Sequence, residues 1–343
     1  MTESSFLTAL NGQKPKRLPI WLMRQAGRYL PEYLEVSAKF SFLEMCHTPK
    51  LASEISLQPL KRFDLDAAIL FSDILTPLIP MGVKLDYVKG QGPVIFNPIR
   101  TPEDVRSLKK VKSASDLGYI QEAIALIKQE LPAHIPLLGF CGSPFTLAAY
   151  MIEGGSSKSY AKTMKFFADH PEEAKILLEF ITEHVIEYLN YKVESGVDAV
   201  QVFESTGGFL SSFHFEKFAF PYLQKIFMAL NNKKIHNILY ILNGIHLQDV
   251  YERVGCKVAG IDWRIDLGNF RRLYPKLVTQ GNLNPSTLFG GPKLVKEEVL
   301  FLLDKLSATG CHGHIFNLGH GILPEAPIAS VEAFIETVHN YKM

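Results

Sequence analysis

The sequence predicts an α/β protein whose strands close into a (β/α)8 barrel of the TIM type, with an active-site cleft at the C-terminal ends of the strands. Eight short apolar runs alternate with longer amphipathic segments. Most of these runs are continuously apolar, as is typical of parallel strands covered on both faces. A chain of 343 residues, 47% of them apolar, suits one such barrel with insertions. An open, doubly wound parallel sheet is the competing architecture.

The elements follow from these runs and from helix-start signals. Thr48 and Pro49 are predicted to be the N-cap and first position of one helix. Pro171 begins a long helix in which Ile176, Phe180 and Ile181 recur at helical spacing. Further amphipathic helices are predicted over residues 294–306 and 329–341. The predicted strands span residues 18–23, 67–71, 136–140, 199–203, 238–242, 258–261, 277–280 and 314–318.

No linker, repeat or low-complexity tract interrupts the pattern, so residues 1–343 are predicted to form one domain. A short N-terminal extension covers about residues 1–17. Residues 77–98 are rich in Gly and Pro and predict a loop excursion with its own small hairpin.

Composition excludes several classes of function. The formal charge of +1 disfavours general binding to nucleic acid or to an anionic membrane. No apolar run is long enough to span a bilayer and no signal peptide is visible, so we expect a cytoplasmic protein. The four cysteines are far apart and predict neither a disulfide framework nor a zinc ribbon. Cys311, His312 and His314 come before or at the start of the last strand, away from the catalytic face, so no metal site is predicted.

Polar residues among glycines follow five of the predicted strands, where a barrel builds its active site. Arg24 and Arg28 suit the binding of a carboxylate, which guanidinium groups pair with bidentately. Asp73 reads equally well as a helix N-cap and as a carboxylate directed at a cationic or N–H-rich ligand. The glycines on both sides of His320 permit close approach of a ligand. The candidate site residues are Arg24, Gln25, Ala26, Gly27, Arg28, Asp73, Tyr150, Ser205 and His320.

The segments that carry these residues resemble the uroporphyrinogen decarboxylase family. The most specific matches are PIWLMRQAGRYLPEY at residues 19–33 and HIFNLGHGILPEAP at residues 314–327. Residues 57–75, 142–155, 261–267 and 280–285 match as well, so the resemblance covers nearly the whole chain.

The resemblance implies a homodimeric (β/α)8 barrel that needs no cofactor and no metal. It implies that the four acetate groups of uroporphyrinogen III lose carbon dioxide, which gives coproporphyrinogen III for haem synthesis. Asp73 corresponds to the family's transition-state-stabilising aspartate. Arg24 to Arg28, with the backbone of Gln25, Ala26 and Gly27, correspond to its substrate-binding loop. Tyr150, Ser205 and His320 fall on the remaining contacts, and catalytic roles go to Asp73, Arg24 and Tyr150.

This sequence departs from the family pattern at Leu34, at Ser37 and in FESTGG at residues 203–208, where the commoner form has an aromatic residue after the serine. Many members have arginines where Leu34 and Ser37 stand here. We therefore expect this chain to hold that edge of the substrate differently.

Two other functions compete with decarboxylation. Distant relatives on this barrel are zinc-dependent corrinoid methyltransferases with a His-x-Cys motif, which residues 242–246 lack. A non-catalytic tetrapyrrole-binding protein would keep the cleft, but the presence of Arg24, Arg28 and Asp73 together disfavours it.

Overall fold

A computed structural model describes residues 4–309 and 313–342 of the chain. Seven parallel strands form one curled sheet in the order β1-β4-β5-β6-β7-β8-β9, and β2 and β3 form a separate antiparallel hairpin. The strands are β1 Ala68–Ile69, β2 Leu85–Val88, β3 Gly92–Ile95, β4 Leu137–Gly142, β5 Ala199–Glu204, β6 Asn237–Ile241, β7 Val258–Gly260, β8 Val278–Leu283 and β9 His314–Leu318.

Helices between consecutive strands cover the outside of the sheet. Short 3-10 helices span Thr76–Leu78, Gly207–Phe209 and Pro285–Gly290. The α-helices of the described residues are α1 Ser5–Leu10, α2 Pro31–Ser37, α3 Phe42–His47, α4 Pro49–Arg62, α5 Pro102–Arg106, α6 Ser113–Asp116, α7 Gly118–Glu130, α8 Pro144–Glu153, α9 Ala161–Asp169, α10 Pro171–Glu194, α11 Ser212–Phe218, α12 Phe220–Asn232, α13 Val250–Val254, α14 Leu267–Leu273, α15 Gly291–Ser307 and α16 Ile328–Asn340.

The chain at residues 18–23 fills the gap between β9 and β1. Ile20 pairs in parallel with Phe316 of β9. On its other side, the Ile20 carbonyl accepts the N–H of Asp66, just before β1, at 2.8 Å. The eighth position of the barrel is therefore occupied, which confirms the predicted fold class.

The prediction of a regular strand over residues 18–23 is wrong, because side chains take the N–H groups that a strand ladder needs. The N–H of Ile20 donates to the Asp66 carboxylate at 2.8 Å. The N–H of Met23 donates to the side chain of Asn317 at 2.9 Å. A single bridge remains where the apolar pattern predicted six paired residues.

The other seven predicted strands are confirmed, with shifts at their ends. Only Ala68–Ile69 of the run 67–71 is paired as a strand. In contrast, β8 continues through Gly281 and Asn282 to Leu283, beyond the apolar run that predicted it. The helix begun by Pro171 is α10, in which Ile181 is buried and Ile176 is 51% exposed.

The N-terminal segment closes the bottom of the barrel. Phe6, Ala9 and Leu10 of α1 are buried. They pack in one cluster with Trp21 and with residues at the N-terminal ends of the strands, namely Ala67, Leu138, Ala199, Ile238, Val258, Val278 and Ile315. This end of the barrel is therefore filled, and any cleft must lie at the opposite end.

The β2–β3 hairpin lies within the excursion at residues 77–98 and is tied to the end of α8. The N–H of Ile95 donates to the carbonyl of Gly154 at 2.9 Å, and Val94 bridges Gly155. This attachment brings the hairpin next to the helix that carries Tyr150.

Candidate active site

Four large side chains form a floor at the C-terminal ends of the strands. Met23, Phe140, Phe203 and Tyr240 pack together as one cluster, each buried but separate from the main core. The ring of Phe203 lies 5.6 Å from that of Phe140 and 5.7 Å from that of Tyr240. An apolar floor of this kind suits a large, flat organic ligand.

Arg24 follows the segment at residues 18–23 and lies in a strained turn at the edge of this floor. Its φ of +64° lies in the left-handed region, which costs a non-glycine residue on the order of 1 kcal/mol or more. The turn is closed by the N–H of Gln25, which donates to the carbonyl of Leu22 at 2.8 Å. The Arg24 side chain is exposed, packs over Gly321, and has no carboxylate partner within residues 4–309 and 313–342.

Of the three residues between the arginines, one has a buried side chain and the other two have backbone N–H groups without an acceptor among the described residues. Gln25 is fully buried, and its side chain accepts from the N–H of Leu22 and donates to the carbonyl of Ala67, both at 3.1 Å. The N–H groups of Ala26 and Gly27 have no acceptor in the described part of the chain. Two backbone N–H groups without an acceptor, beside two arginines, are the kind of donor set that suits an anion.

Arg28 lies at the outer edge of this loop. Its side chain is exposed and has no carboxylate partner among the described residues. Burial raises the pKa of Tyr33, and the charge of Arg28 opposes that rise. The structure thus places Arg28 beside Tyr33 at the rim.

Asp73 closes a turn after β1 and lies within the influence of the Arg24 charge. Its Oδ1 accepts the N–H of Leu75 at 2.8 Å. Burial raises the pKa of Asp73, and three groups partly oppose this: the Tyr87 hydroxyl, the Leu75 N–H and the charge of Arg24. The helix N-cap interpretation of Asp73 is wrong, because Leu75 occupies the cap position of the 3-10 helix Thr76–Leu78 without a side-chain bond. The interpretation of Asp73 as a carboxylate directed at a ligand stays a prediction.

Two tyrosines lie near this carboxylate. The Tyr87 hydroxyl, on the β2–β3 hairpin, is close enough to Asp73 to lower its pKa, yet it is buried without a well-aligned hydrogen-bond partner. Burial raises the pKa of Tyr150, and Asp73 raises it further. Since a phenol at raised pKa keeps its proton, both tyrosines can act as hydrogen-bond donors to a ligand.

A buried carboxylate joins α8 to the loop after β5. Glu204 accepts the hydroxyl protons of Ser143 at 2.5 Å and Thr146 at 2.6 Å, and the N–H of Gly207 at 2.7 Å. Thr146 in turn accepts the N–H of Ser205 at 2.9 Å. Burial raises the pKa of Glu204, although these donors oppose the rise. This network sets the position of Ser205 relative to the helix of Tyr150.

His320 is held between close-packed neighbours. A Cβ at Gly319 would overlap the backbone of Trp263, and one at Gly321 would overlap the side chain of Arg24. Burial, with the charges of Arg24 and Arg264, lowers the pKa of His320 to about 4. His320 is therefore neutral near pH 7 and offers one N–H donor and one acceptor.

The structure brings Asp73, Tyr150 and His320 within the field of one guanidinium. Burial is the largest influence on the pKa values of these three residues, and the charge of Arg24 lowers all three. Ser205 is connected to α8 through its N–H bond to Thr146, and Arg28 lies at the outer edge of the loop that carries Arg24.

Comparison with known proteins gives one consistent result. The family model described as uroporphyrinogen decarboxylase (URO-D) matches residues 1–341. The chain belongs to the uroporphyrinogen decarboxylase family. A uroporphyrinogen decarboxylase from Trichlorobacter lovleyi is 44% identical over 97% of both chains. Another, from Geobacter sulfurreducens, is 42% identical and covers 97% of each chain.

Solved structures agree on the fold of this uroporphyrinogen decarboxylase family member. A methyltransferase from Methanosarcina mazei superposes with a TM-score of 0.82, covering 98% of this chain and 97% of its own, at 19% identity. At that identity the likeness shows the shared fold alone.

The metal ligands of a zinc enzyme have no counterpart in the part of the chain that the structure describes, where no three His, Cys, Asp or Glu side chains are grouped to hold an ion. Cys311 and His312 lie outside the described residues. His314 is buried, and its Nδ1 lies 2.8 Å from the hydroxyl of Thr279. No helix within residues 4–309 and 313–342 is long and apolar enough to cross a membrane.

Sequence reasoning missed three contributors to the site of this uroporphyrinogen decarboxylase family member. Tyr87 comes from the excursion, whose position over the cleft no local pattern reveals. Glu204 is the last residue of β5, next to Ser205, and it is buried. An acidic residue at the end of an apolar run was the feature of the sequence that could have pointed to it. Arg264 lies four residues beyond the end of β7, as Asp73 does beyond the end of β1.

Leu34 and Ser37, where the resemblance led us to expect arginines, both lie on α2. Leu34 is 48% exposed, and the hydroxyl of Ser37 donates to its carbonyl at 3.2 Å. Neither side chain offers the positive charge that many family members place there.

Proposed function

We propose that this protein removes the four acetate carboxyl groups of uroporphyrinogen III as carbon dioxide, leaving methyl groups and releasing coproporphyrinogen III, without a cofactor. The family and the names of its relatives support this activity. The observation that carries it is Asp73, a single carboxylate in an apolar-floored cleft under the influence of Arg24.

The reaction needs a cation that accepts electrons as carbon dioxide leaves. Many decarboxylases use a cofactor as this electron sink. A porphyrinogen pyrrole supplies its own, because protonation of a ring carbon gives an iminium ion. After carbon dioxide leaves, the exocyclic carbon takes up a proton to become the methyl group, and the ring carbon releases the proton that it gained. The protein must therefore deliver and accept protons, stabilise positive charge and hold the other carboxylates.

Asp73 suits the stabilisation of that cation. The pyrrole N–H groups of a domed macrocycle point to one side and can donate to one carboxylate. Each such charged hydrogen bond contributes about 1.5–3 kcal/mol. Burial of Asp73, which raises its pKa, also places the carboxylate where charge interactions are strong. The bond from Leu75 fixes one oxygen in advance of binding.

The arginine loop suits the carboxylate arms. Arg24, Arg28 and the open N–H groups of Ala26 and Gly27 together offer both charge and directed donors. In this proposal Arg24 also helps to deliver the proton to the pyrrole carbon, with Tyr150 orienting the reacting arm.

His320 and Ser205 complete the set of substrate contacts. A neutral His320 with its pKa near 4 donates a hydrogen bond without adding a full charge. Ser205 donates from the loop that Glu204 holds in place. Neutral donors tolerate rotation of the macrocycle, which successive removal of four arms requires.

The proposal also includes a single-domain chain, a homodimer and a cytoplasmic location, all of which rest on the resemblance to the family. Sedimentation velocity at micromolar concentration tests the dimer directly, and a species of one chain's mass would contradict it.

Anaerobic incubation with uroporphyrinogen III tests the proposed function. After oxidation of the mixture, chromatography should resolve seven-, six-, five- and four-carboxyl porphyrins, with the four-carboxyl product accumulating last. A non-catalytic carrier returns the eight-carboxyl compound unchanged. Stoichiometric zinc in active protein, with loss of activity on chelation, would instead favour the methyltransferase alternative.

A further inference from the structure

The loop after β7 presents a positioned guanidinium that the roles assigned above do not use. We propose that Arg264 binds a peripheral carboxylate of the tetrapyrrole and forms a second anion subsite, beside His320 and separate from the loop of Arg24 and Arg28. This inference rests on the proposed function, because it identifies a further contact for the same substrate.

Buried Asp262 fixes the Arg264 side chain. Asp262 is fully buried, and the Nη1 group of Arg264 donates to its two oxygens at 3.0 and 2.8 Å. The same carboxylate accepts the N–H groups of Arg264 and Asn243, each at 2.8 Å. An arginine held this way loses little conformational freedom when it binds a ligand.

A column of stacked side chains connects Arg264 to the floor of the cleft. The guanidinium lies 3.8 Å from the centre of the Trp263 ring. The Trp263 and His320 rings are 6.3 Å apart and inclined by 17°. His320 and Tyr240 are 6.2 Å apart and inclined by 3°. Since Tyr240 is buried in the floor and the Arg264 side chain is 45% exposed, the column runs from the floor to the rim.

One edge of the guanidinium is free. Nη1 serves Asp262, whereas Nε and Nη2 donate to no acceptor within the described residues. These two groups form the edge of the planar fork that pairs bidentately with a carboxylate. Nη1 alone pairs with Asp262, so Nε and Nη2 are not needed to hold the side chain in place.

Space for a carboxylate arm lies alongside. Arg264 borders a groove of about 460 Å³, lined also by Ile245, Gln248, Asn269 and Leu273 and by two charged residues, Arg272 and Asp266, of which Asp266 is paired with Lys305. The exposed apolar side chains of Ile245 and Leu273 can contact the methylene groups of an arm, while the guanidinium takes its carboxylate. In this proposal an arm that enters the groove meets a fixed cation, which the ring of Trp263 separates from His320.

Substitution of Arg264 tests this subsite. Arg264→Lys keeps a cation for buried Asp262 and should fold, but it lacks the second edge of the fork. Arg264→Ala removes both. We expect KM for uroporphyrinogen III to rise about tenfold in Arg264→Ala and several-fold in Arg264→Lys, with kcat within about twofold of wild type.

Arg253 on α13 provides a matched control. It is likewise held by carboxylates, with Nη1 and Nη2 donating to Glu216 at 2.6 and 2.8 Å, and it stacks on Phe220 at 4.3 Å. Arg253→Lys should leave KM unchanged. An equal rise in KM for Arg253→Lys, or no rise beyond twofold in either Arg264 variant, would overturn the inference.

Binding of coproporphyrin III separates this inference from the proposed function. Quenching of the fluorescence of Trp263 and Trp21 gives a dissociation constant without turnover. If wild type binds coproporphyrin III but does not convert uroporphyrinogen III, the decarboxylase proposal fails. A larger dissociation constant for coproporphyrin III in Arg264→Lys would still support the subsite. If wild type neither binds nor converts, both proposals fail.

Discussion

Removing the Glu204 carboxylate should uncouple the helix of Tyr150 from the loop of Ser205. In Glu204→Ala the hydroxyls of Ser143 and Thr146 and the N–H of Gly207 lose their buried acceptor. Loss of one member of a buried charged network costs about 3–5 kcal/mol. We expect the free energy of unfolding of Glu204→Ala to fall by that amount.

Glu204→Gln is the milder test. It keeps the volume and one acceptor oxygen, and a serine hydroxyl can rotate to accept from the new amide. We expect a loss of about 1–2 kcal/mol in the free energy of unfolding. Because Ser205 and Tyr150 then shift relative to each other, kcat/KM for uroporphyrinogen III should fall at least about tenfold.

Urea titration followed by circular dichroism measures the free energy of unfolding, and the anaerobic assay measures kcat/KM. Asp198→Asn is the matched control at the other end of the same strand, where Asp198 accepts the N–H of Leu137 at 2.7 Å. It should reduce stability but leave kcat/KM unchanged. This view of the network would be refuted if the free energy of unfolding of Glu204→Ala lay within about 1 kcal/mol of the wild-type value. It would also be refuted if Glu204→Gln kept the wild-type kcat/KM.

Three further predictions concern other parts of the structure. Gly321→Ala should displace the side chain of Arg24 and lower kcat/KM at least about tenfold with little change in the unfolding midpoint; unchanged kinetics would contradict the packing observed there. Burial lowers the pKa of Lys192 to about 7, so the unfolded state binds more protons above that pH. The free energy of unfolding should therefore rise by about 1.4 kcal/mol per pH unit between pH 7.5 and 8.5, relative to Lys192→Met, and parallel curves would refute this. Proton NMR should give His320 a pKa near 4, which rises in Arg24→Ala because a nearby positive charge is lost; an unchanged pKa would place Arg24 elsewhere.

The sequence predicted the barrel because parallel strands buried on both faces leave a strong apolar pattern. The same pattern failed at residues 18–23, where Asp66 and Asn317, distant in sequence, take the N–H groups of an apolar run. Competition of this kind between side chains and a strand ladder depends on tertiary contacts, and no local pattern reports it.

The candidate site was predictable where residues directly follow a strand, as Asp73 and His320 do. Tyr87 was not, because it reaches the cleft from a hairpin whose attachment to Gly154 and Gly155 is set by the fold. The buried state of Gln25 was also hidden, since its sequence position between open loop residues suggests an exposed side chain.

Asp73 has the central role in the proposed mechanism, as the carboxylate that stabilises the protonated pyrrole. Asp73→Asn keeps the shape of the side chain and removes its charge. In the anaerobic assay we expect kcat to fall at least about a hundredfold, while the dissociation constant for coproporphyrin III stays within a few-fold of wild type. A stably folded Asp73→Asn protein that decarboxylates uroporphyrinogen III at the wild-type rate would contradict the central claim.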